Sequence, residues 1–394
     1  MNKNVFILAA LAAASAHADV EVAAGFKLYG VLDQAYTTQS VSSAKSTPKI
    51  YKNTGFFAAA STSKFGVKGE RDLGNAVKAV IQFEQELAPD EATLMPAKNR
   101  TAFVGLENKT MGGVRLGTQE TPAYVLFGSD ANGRVEYKPQ LWRFLAADAM
   151  QDRANNAVKL ISPKFGPVNV EFMRGFSEVN VGGTTPKSKD FTSLGLNFQE
   201  GQLTAKVVWD SLTNTDLKYA LPGEPYAGVI SYSSDKTNGM TQNKTKMISA
   251  STSKPLQRAF AAVSYDMGVA KVNYIFGGAY TEGKGQVITN TFGIRVPMDQ
   301  WTVALSTGMG NYTNAAGNSG TATIAGKLSD TTLGVFYNFD KSTTAYLLTS
   351  MGRHTPSTSS TSTQNGIDTL GNPVFTSGVT GESQTTAVGL RYNY

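Results

Sequence analysis

Along most of the chain apolar and polar residues take turns with a period of two, the mark of an extended strand with one apolar and one polar face. The clearest stretch, roughly 76–87, sets Val77, Ala79, Ile81 and Phe83 on one face and Lys78, Gln82, Glu84 and Glu86 on the other. The chain ends in the same way, with Val388, Leu390, Tyr392 and Tyr394 facing one side and Gly389, Arg391 and Asn393 between them. Around 268–281, Val269, Val272, Tyr274 and Phe276 alternate less cleanly, within a Gly-bounded segment that still predicts a strand.

The strand candidates are joined alternately by short turns and long polar loops. Turns are predicted at Asp72–Asn75, Asn108–Gly112, Ser162–Gly166, Glu200-Gly201, Asp266–Gly268, Pro297–Asp299 and Asp340–Ser342, which carry the Gly, Pro, Asp and Ser that tight turns require. Loops are predicted near 39–54, 88–98, 119–153, 178–189, 213–256, 282–285, 313–326 and 354–383, the last rich in Ser, Thr and Gly. Seven turns and eight loops connect sixteen strands. An even count, short on one side and long on the other, predicts an all-β fold: a sixteen-stranded antiparallel transmembrane β-barrel with short periplasmic turns and long extracellular loops. Side chains cannot fill a lumen that wide, so it should hold a water-filled channel.

The first residues read as an export signal. Lys3 supplies the basic start, Val5 to Ala14 the apolar run, and Ala16-His17-Ala18 the small-x-small cleavage pattern. Residues 1–18 are therefore expected to be removed, leaving 19–394 as one barrel domain. The other reading, an N-terminal anchor, needs an apolar run of about 20 residues, longer than this one. Nothing else in the sequence is long and apolar enough for a spanning helix. A membrane-spanning form must then be a closed barrel, the other structure that satisfies every backbone polar group in hydrocarbon. A mean hydropathy of -0.20 suits strands with one apolar face only.

Cysteine is absent, so an exported fold must be held by its hydrogen-bond ladder and not by disulfides. The 39 Gly, 16 Tyr and 20 Phe suit many strands and turns with interfacial aromatic girdles, for which Tyr36, Phe83, Tyr280, Trp301, Tyr346, Tyr392 and Tyr394 are candidates. Ordinary strand propensity accounts for the same aromatics. The net charge of +6, with acids and bases interspersed and no basic run, argues against nucleic acid as a partner.

Several segments resemble the sixteen-stranded general diffusion porins of Gram-negative bacteria, the neisserial and burkholderial branch in particular. Lys27-Leu28-Tyr29-Gly30-Val31-Leu32-Asp33 is similar to that family's first strand, and the run from Ser63 to Gly74 to its second strand and first turn. Arg100–Leu106 resembles the fourth strand, Val114-Arg115-Leu116-Gly117 the fifth, and Arg153–Pro163 the strand that leaves the third loop. The resemblance implies an outer-membrane location, a homotrimer of barrels, and a third loop, here roughly 119–153, that folds inward and narrows the pore. It also makes the terminal aromatic Tyr394 the signal read by the outer-membrane assembly machinery, although the family more often ends in Phe.

A Lys or Arg facing lipid costs about 2–4 kcal/mol at the bilayer midplane. Alternation therefore turns Lys64, Lys78, Arg100, Arg115 and Lys159 toward the lumen, where bases attract anions. Lys64 and Arg100 stand where the resembled porins carry bases on the constriction wall, and Lys159 is a third candidate. The alternative for each is a solvated charge paired with a local acid. The facing wall should be acidic, with Asp130, Glu136, Asp148 and Asp152 of the third loop as candidates; simple solvation is their alternative reading. The sequence departs from the family at Thr118, where an Arg is usual, and in a loop that lacks the usual acidic-aromatic motif and carries Arg134 and Arg143.

His354 is the sole histidine after the signal, with no framed Ser or acid at a telling spacing, so no enzyme active site is expected. Without Cys, and with one His, a zinc site is not expected either. No cofactor motif is present, and loose Ca²⁺ binding by loop acids stays open. The expected partners are the lipid bilayer and small polar solutes and ions. Three readings follow: a passive pore with a mild anion preference, a channel tuned to small carboxylates or sugars, and an enzyme or adhesin on a barrel scaffold.

Overall fold

The computed structural model describes residues 20–23, 25–43, 50–57, 61–89, 93–128, 153–176, 190–212, 217–219, 248–250, 255–281, 285–314, 324–356, 366–367, 373–374 and 381–394. The expected signal, 1–18, and the four candidate loop acids lie outside them.

The barrel strands are β1 (Phe26–Ser43), β2 (Ile50–Phe57 and Lys64–Gly74), β3 (Val77–Ala88), β4 (Thr93–Asn108) and β5 (Gly112–Glu120). A short helix, α1 (Pro122–Gly128), follows β5. Next come β6 (Arg153–Ile161), β7 (Val168–Gly175), β8 (Phe191–Glu200), β9 (Leu203–Leu212) and β10 (Leu256–Asp266). The last are β11 (Lys271–Thr281), β12 (Gly285–Met298), β13 (Trp301–Asn314), β14 (Ile324–Asn338), β15 (Thr343–Pro356) and β16 (Gly381–Asn393). Each pairs antiparallel with its sequence neighbours, and β16 pairs with β1 to close the ring. The sheet's eighteen strands reduce to sixteen staves among the described residues, for two reasons. Both halves of β2 pair along β1, and Val20–Ala23 continues the line of β16 below its last residue.

Among the described residues closure leaves no sheet edge, which is what hydrocarbon demands of a spanning sheet. The seam is tight. Gly30 N–H donates to Tyr394 O at 2.8 Å, and Tyr394 N–H to Gly30 O at 3.1 Å. A Cβ on Gly30 would collide with the Tyr394 ring, so glycine is the residue that fits there.

Each of the seven predicted turns marks a junction between consecutive strands, although strand residues extend into most of them. β2 runs to Gly74, and β12 runs to Met298 within the predicted Pro297–Asp299, which leaves the two-residue link Asp299-Gln300, with Asp299 at φ 51°. At the last one, the Ser342 and Thr343 N–H groups donate to Asp340 and hold its carboxyl below the usual range. Several strands overrun the predicted loop limits. β1 runs to Ser43 and β2 begins at Ile50, inside the expected loop 39–54. The extra length, Gln39 to Ser43, keeps the ladder to β16 but is polar apart from Val41, so periodicity could not reveal it. Loops 213–256 and 354–383 each hold a small hairpin, Leu217–Tyr219 with Ile248–Ala250 and Gly366–Ile367 with Pro373–Val374.

Exposure separates the two faces. Val104, Leu116, Val207 and Phe292 are about half exposed, while Lys206, Val208, Arg258 and Phe260 are buried. An apolar skin this continuous is the exterior of a membrane barrel. At the short-turn end Trp301, Tyr337 and Phe339 meet in sequence, tilted and then edge-on, with ring centroids 4.8 and 4.9 Å apart, as in an interfacial aromatic belt.

Candidate functional site

Register decides what shares a face, because directly opposed residues point the same way. On β2 and β3, Lys64 opposes Glu86, Gly66 opposes Glu84, and Lys68 opposes Gln82, all turned away from the apolar skin. Arg100 joins them through a bulge. Phe83 pairs with Ala102 and Gln85 with Asn99, so Arg100 and Thr101 together face Glu84 alone. The extra residue aims the guanidinium inward, the usual work of a β-bulge.

Glu84 is the hub of this wall. Lys64 Nζ lies 2.7 Å from its Oε1 and Arg100 Nε 3.0 Å from its Oε2, while Tyr29 Oη donates to Oε1 at 2.9 Å. Gln82 donates to Tyr29 Oη at 2.7 Å, and Lys68 Nζ sits 4.8 Å from the Tyr29 ring centroid. Arg100 Nη1 also lies 3.7 Å from Glu86. A carboxylate with 3 % of its side chain exposed is tolerable in this setting because each oxygen meets a charged partner.

The other expected bases are also on this face and also have acids beside them. Lys78 meets Glu70 at 2.7 Å in the open, near the first turn. Arg115 Nε donates to Glu107 at 2.7 Å, with its guanidinium 4.8 Å over the Phe103 ring. Lys159 Nζ lies 3.1 Å from Glu171 and donates to Glu120 O at 3.2 Å. Glu171 is shared: Lys206 Nζ lies 3.6 Å from it and Asn197 donates to it at 2.8 Å. The acids that touch these bases stand on the same wall, one strand away, as in the alternative of a charge paired with a local acid; the loop acids expected across the aperture lie outside the described residues.

Sequence reasoning missed Lys206, which sits between Ala205 and Val207 and meets the criterion applied to Lys64. It also missed Asp33, fully buried on β1. Asp33 N–H and O bond Ser63 Oγ at 2.9 Å, Asp33 Oδ2 accepts from Ser61 N–H at 3.0 Å, and Tyr346 Oη donates to Oδ1 at 2.6 Å. Asp33 thus staples the gap in β2 just ahead of Lys64. Tyr346 leaves the list of girdle aromatics, since register places it opposite Phe336 and Gly389 on the interior face. Tyr394 leaves it too, being 2 % exposed over Gly30. The His354 side chain is outside the described residues, among which no cluster of His, Asp or Glu is arranged for a metal.

The segment after β5 turns at once onto the interior of β8–β10. Thr121 Oγ1 accepts from Tyr124 N–H at 3.2 Å and Pro122 opens α1, a capped helix start. Ala123 and Leu126 are fully buried among Phe191, Val208, Leu212 and Phe260. A Cβ on Gly195 would come within 3.2 Å of Pro122, so that glycine makes room for the helix. At the root, Arg153 Nη2 bonds Glu120 at 2.7 Å and its guanidinium lies 5.2 Å over the Tyr124 ring. The β5–β6 ladder shifts here, with Asn156 at φ 47° and Gly117 at φ 126°.

Comparison with known proteins agrees with this architecture. The family described as Gram-negative porin matches residues 6–354. Outer membrane porin protein 32 of Delftia acidovorans is 27% identical over 214 residues, 52% of this chain and 59% of that protein, so the match spans somewhat more than half of its length. In structure, the chain is similar to an anion-selective porin from Comamonas acidovorans (TM-score 0.63, 20% identity, covering 94% of this chain and 99% of that one). It is also similar in fold to OmpT of Vibrio cholerae (TM-score 0.58, 15% identity, 95% and 99% covered) and OmpF of Salmonella typhi (TM-score 0.59, 11% identity, 95% and 100% covered). With an apolar skin, a closed sixteen-stave ladder and a charged interior, the chain belongs to the Gram-negative porins, β-barrel proteins of the bacterial outer membrane.

Proposed function

We propose that the chain forms a water-filled pore through which small polar solutes and ions diffuse passively, with a mild preference for anions. It works as a channel and not as an enzyme. The observation that carries this reading is the sorting of charge: ion-paired bases on the interior face of a ring whose exterior is apolar. Lys64, Lys78, Arg100, Arg115 and Lys159, joined by Lys206, are the pore-lining bases. The anion preference follows from stoichiometry at the second cluster, where Lys159 and Lys206 share Glu171 and leave one positive charge in excess. A structural relative named as an anion-selective porin supports the same sign.

Segment 119–153 is the constriction loop on this reading, supported by the seating of its first turn, α1, on the inner wall. The five ordered segments of the first strands support a place in the neisserial and burkholderial branch, and with it a homotrimer and recognition of Tyr394 by the assembly machinery. The purified protein in a planar bilayer under a KCl gradient should give discrete conductance steps and a reversal potential of the anion sign. An electrically silent bilayer would end the pore reading, and a reversal potential of the cation sign the anion preference. Block of the current by a small carboxylate or sugar at low concentration would assign the channel to that solute instead.

A further inference from the structure

Beneath α1 the inner wall is built in three rows that run across β8, β9 and β10. Two are mainly apolar: Phe191, Leu212 and Leu256 on one side, Gly195, Val208 and Phe260 on the other. The row between them is polar: Ser193, Asp210 and Arg258, each opposite the next. Arg258 Nη2 donates to Asp210 Oδ2 at 2.6 Å, and both side chains are wholly shielded, at 0% exposure. That is their one hydrogen bond among the described residues, beside a cation–π contact of the Arg258 guanidinium 5.7 Å from the Phe260 ring centroid. Asp210 Oδ1, Arg258 Nε and Nη1, and Ser193 Oγ are all buried without a hydrogen-bond partner.

On a bare pore wall these groups would be hydrated, as Lys78 and Glu70 are. A covered ion pair with orphaned donors and acceptors opposes its own burial, while the apolar rows on either side favour it. Apolar contact alone would hold the helix anywhere along the wall, because it has no direction. We propose that Asp210 and Arg258 are positioning residues for α1. They form a seat that fixes the helix between the two apolar rows yet keeps it detachable. Any effect of the seat on the aperture rests on the reading of 119–153 as the constriction loop.

The chain has no cysteine, so a single introduced thiol reports on the helix. Ala123→Cys should react slowly with a charged, water-soluble methanethiosulfonate added to the protein in lipid vesicles, since Ala123 is fully buried in the docked helix. Asp210→Asn in that background leaves Arg258 without a counter-charge and should raise the rate about tenfold or more. Asp210→Leu with Arg258→Met, which replaces the pair by apolar side chains, should lower it several-fold and reduce open-channel flicker. A rate that the double replacement leaves unchanged or raises would overturn the seat, whether or not the Asp210→Asn variant folds. Conductance measured on the same variants separates the two readings: labelling that changes without conductance contradicts the constriction role of the loop and leaves the seat standing.

Discussion

Two stretches of the same inner face handle charge in opposite ways. On β2–β4, Glu84 is surrounded by Lys64, Arg100 and Tyr29, and every oxygen has a partner. On β8–β10, Asp210 and Arg258 share one bond under α1 while their remaining polar atoms have none. The difference lies in what covers them. A network with several partners stays satisfied wherever the water boundary falls, whereas a pair built for hydration loses partners when a helix lies on it. On the proposed reading the charges of the first wall, with Lys159, Lys206 and Glu171 beside the second, bear on which ions pass, while Asp210 and Arg258 seat the helix.

The largest effect that would break this contrast is at the hub. Glu84→Gln should cost about 3–5 kcal/mol, because buried Arg100 and partly buried Lys64 lose their shared counter-charge. It should lower the unfolding temperature in detergent and, in channels that still form, strengthen anion preference. Next, Leu126→Ala should weaken the seating of α1 by about 2–5 kcal/mol as a buried Leu is truncated, read as higher conductance with an unchanged reversal potential. Tyr394→Phe sharpens the picture of the seam: the buried hydroxyl has no partner among the described residues, so its loss should leave the thermal midpoint equal or higher. The smallest effect belongs to Lys78→Gln. Its pair with Glu70 is in the open at 43% and 61% exposure, and neither stability nor selectivity should change measurably.

How legible this was in the sequence follows the same divide. Turns such as Asp72–Asn75 and Asp340–Ser342 and the apolar face of β3 were readable because turn chemistry and lipid contact both leave strong local marks. The weak alternation over 268–281 now has a cause. Val272, Tyr274 and Phe276 face out, but Ile275 and Ala279 on the inner face are buried in the cluster under α1, so both faces read as apolar. The same masking hid Arg258, flanked on its own face by Leu256 and Phe260. Helix α1, at seven residues, is too short to show a helical period. The acid partners of the expected bases were illegible for another reason. Glu84 was seen on the polar face of its strand, but that it meets Arg100 depends on a bulge, which only register reveals.

The division of labour between the two walls is tested most directly by recording reversal potential and single-channel conductance of Lys64→Gln with Arg100→Gln beside the unaltered protein. The account expects the reversal potential to move toward the cation side while conductance changes little. An unmoved reversal potential would contradict it.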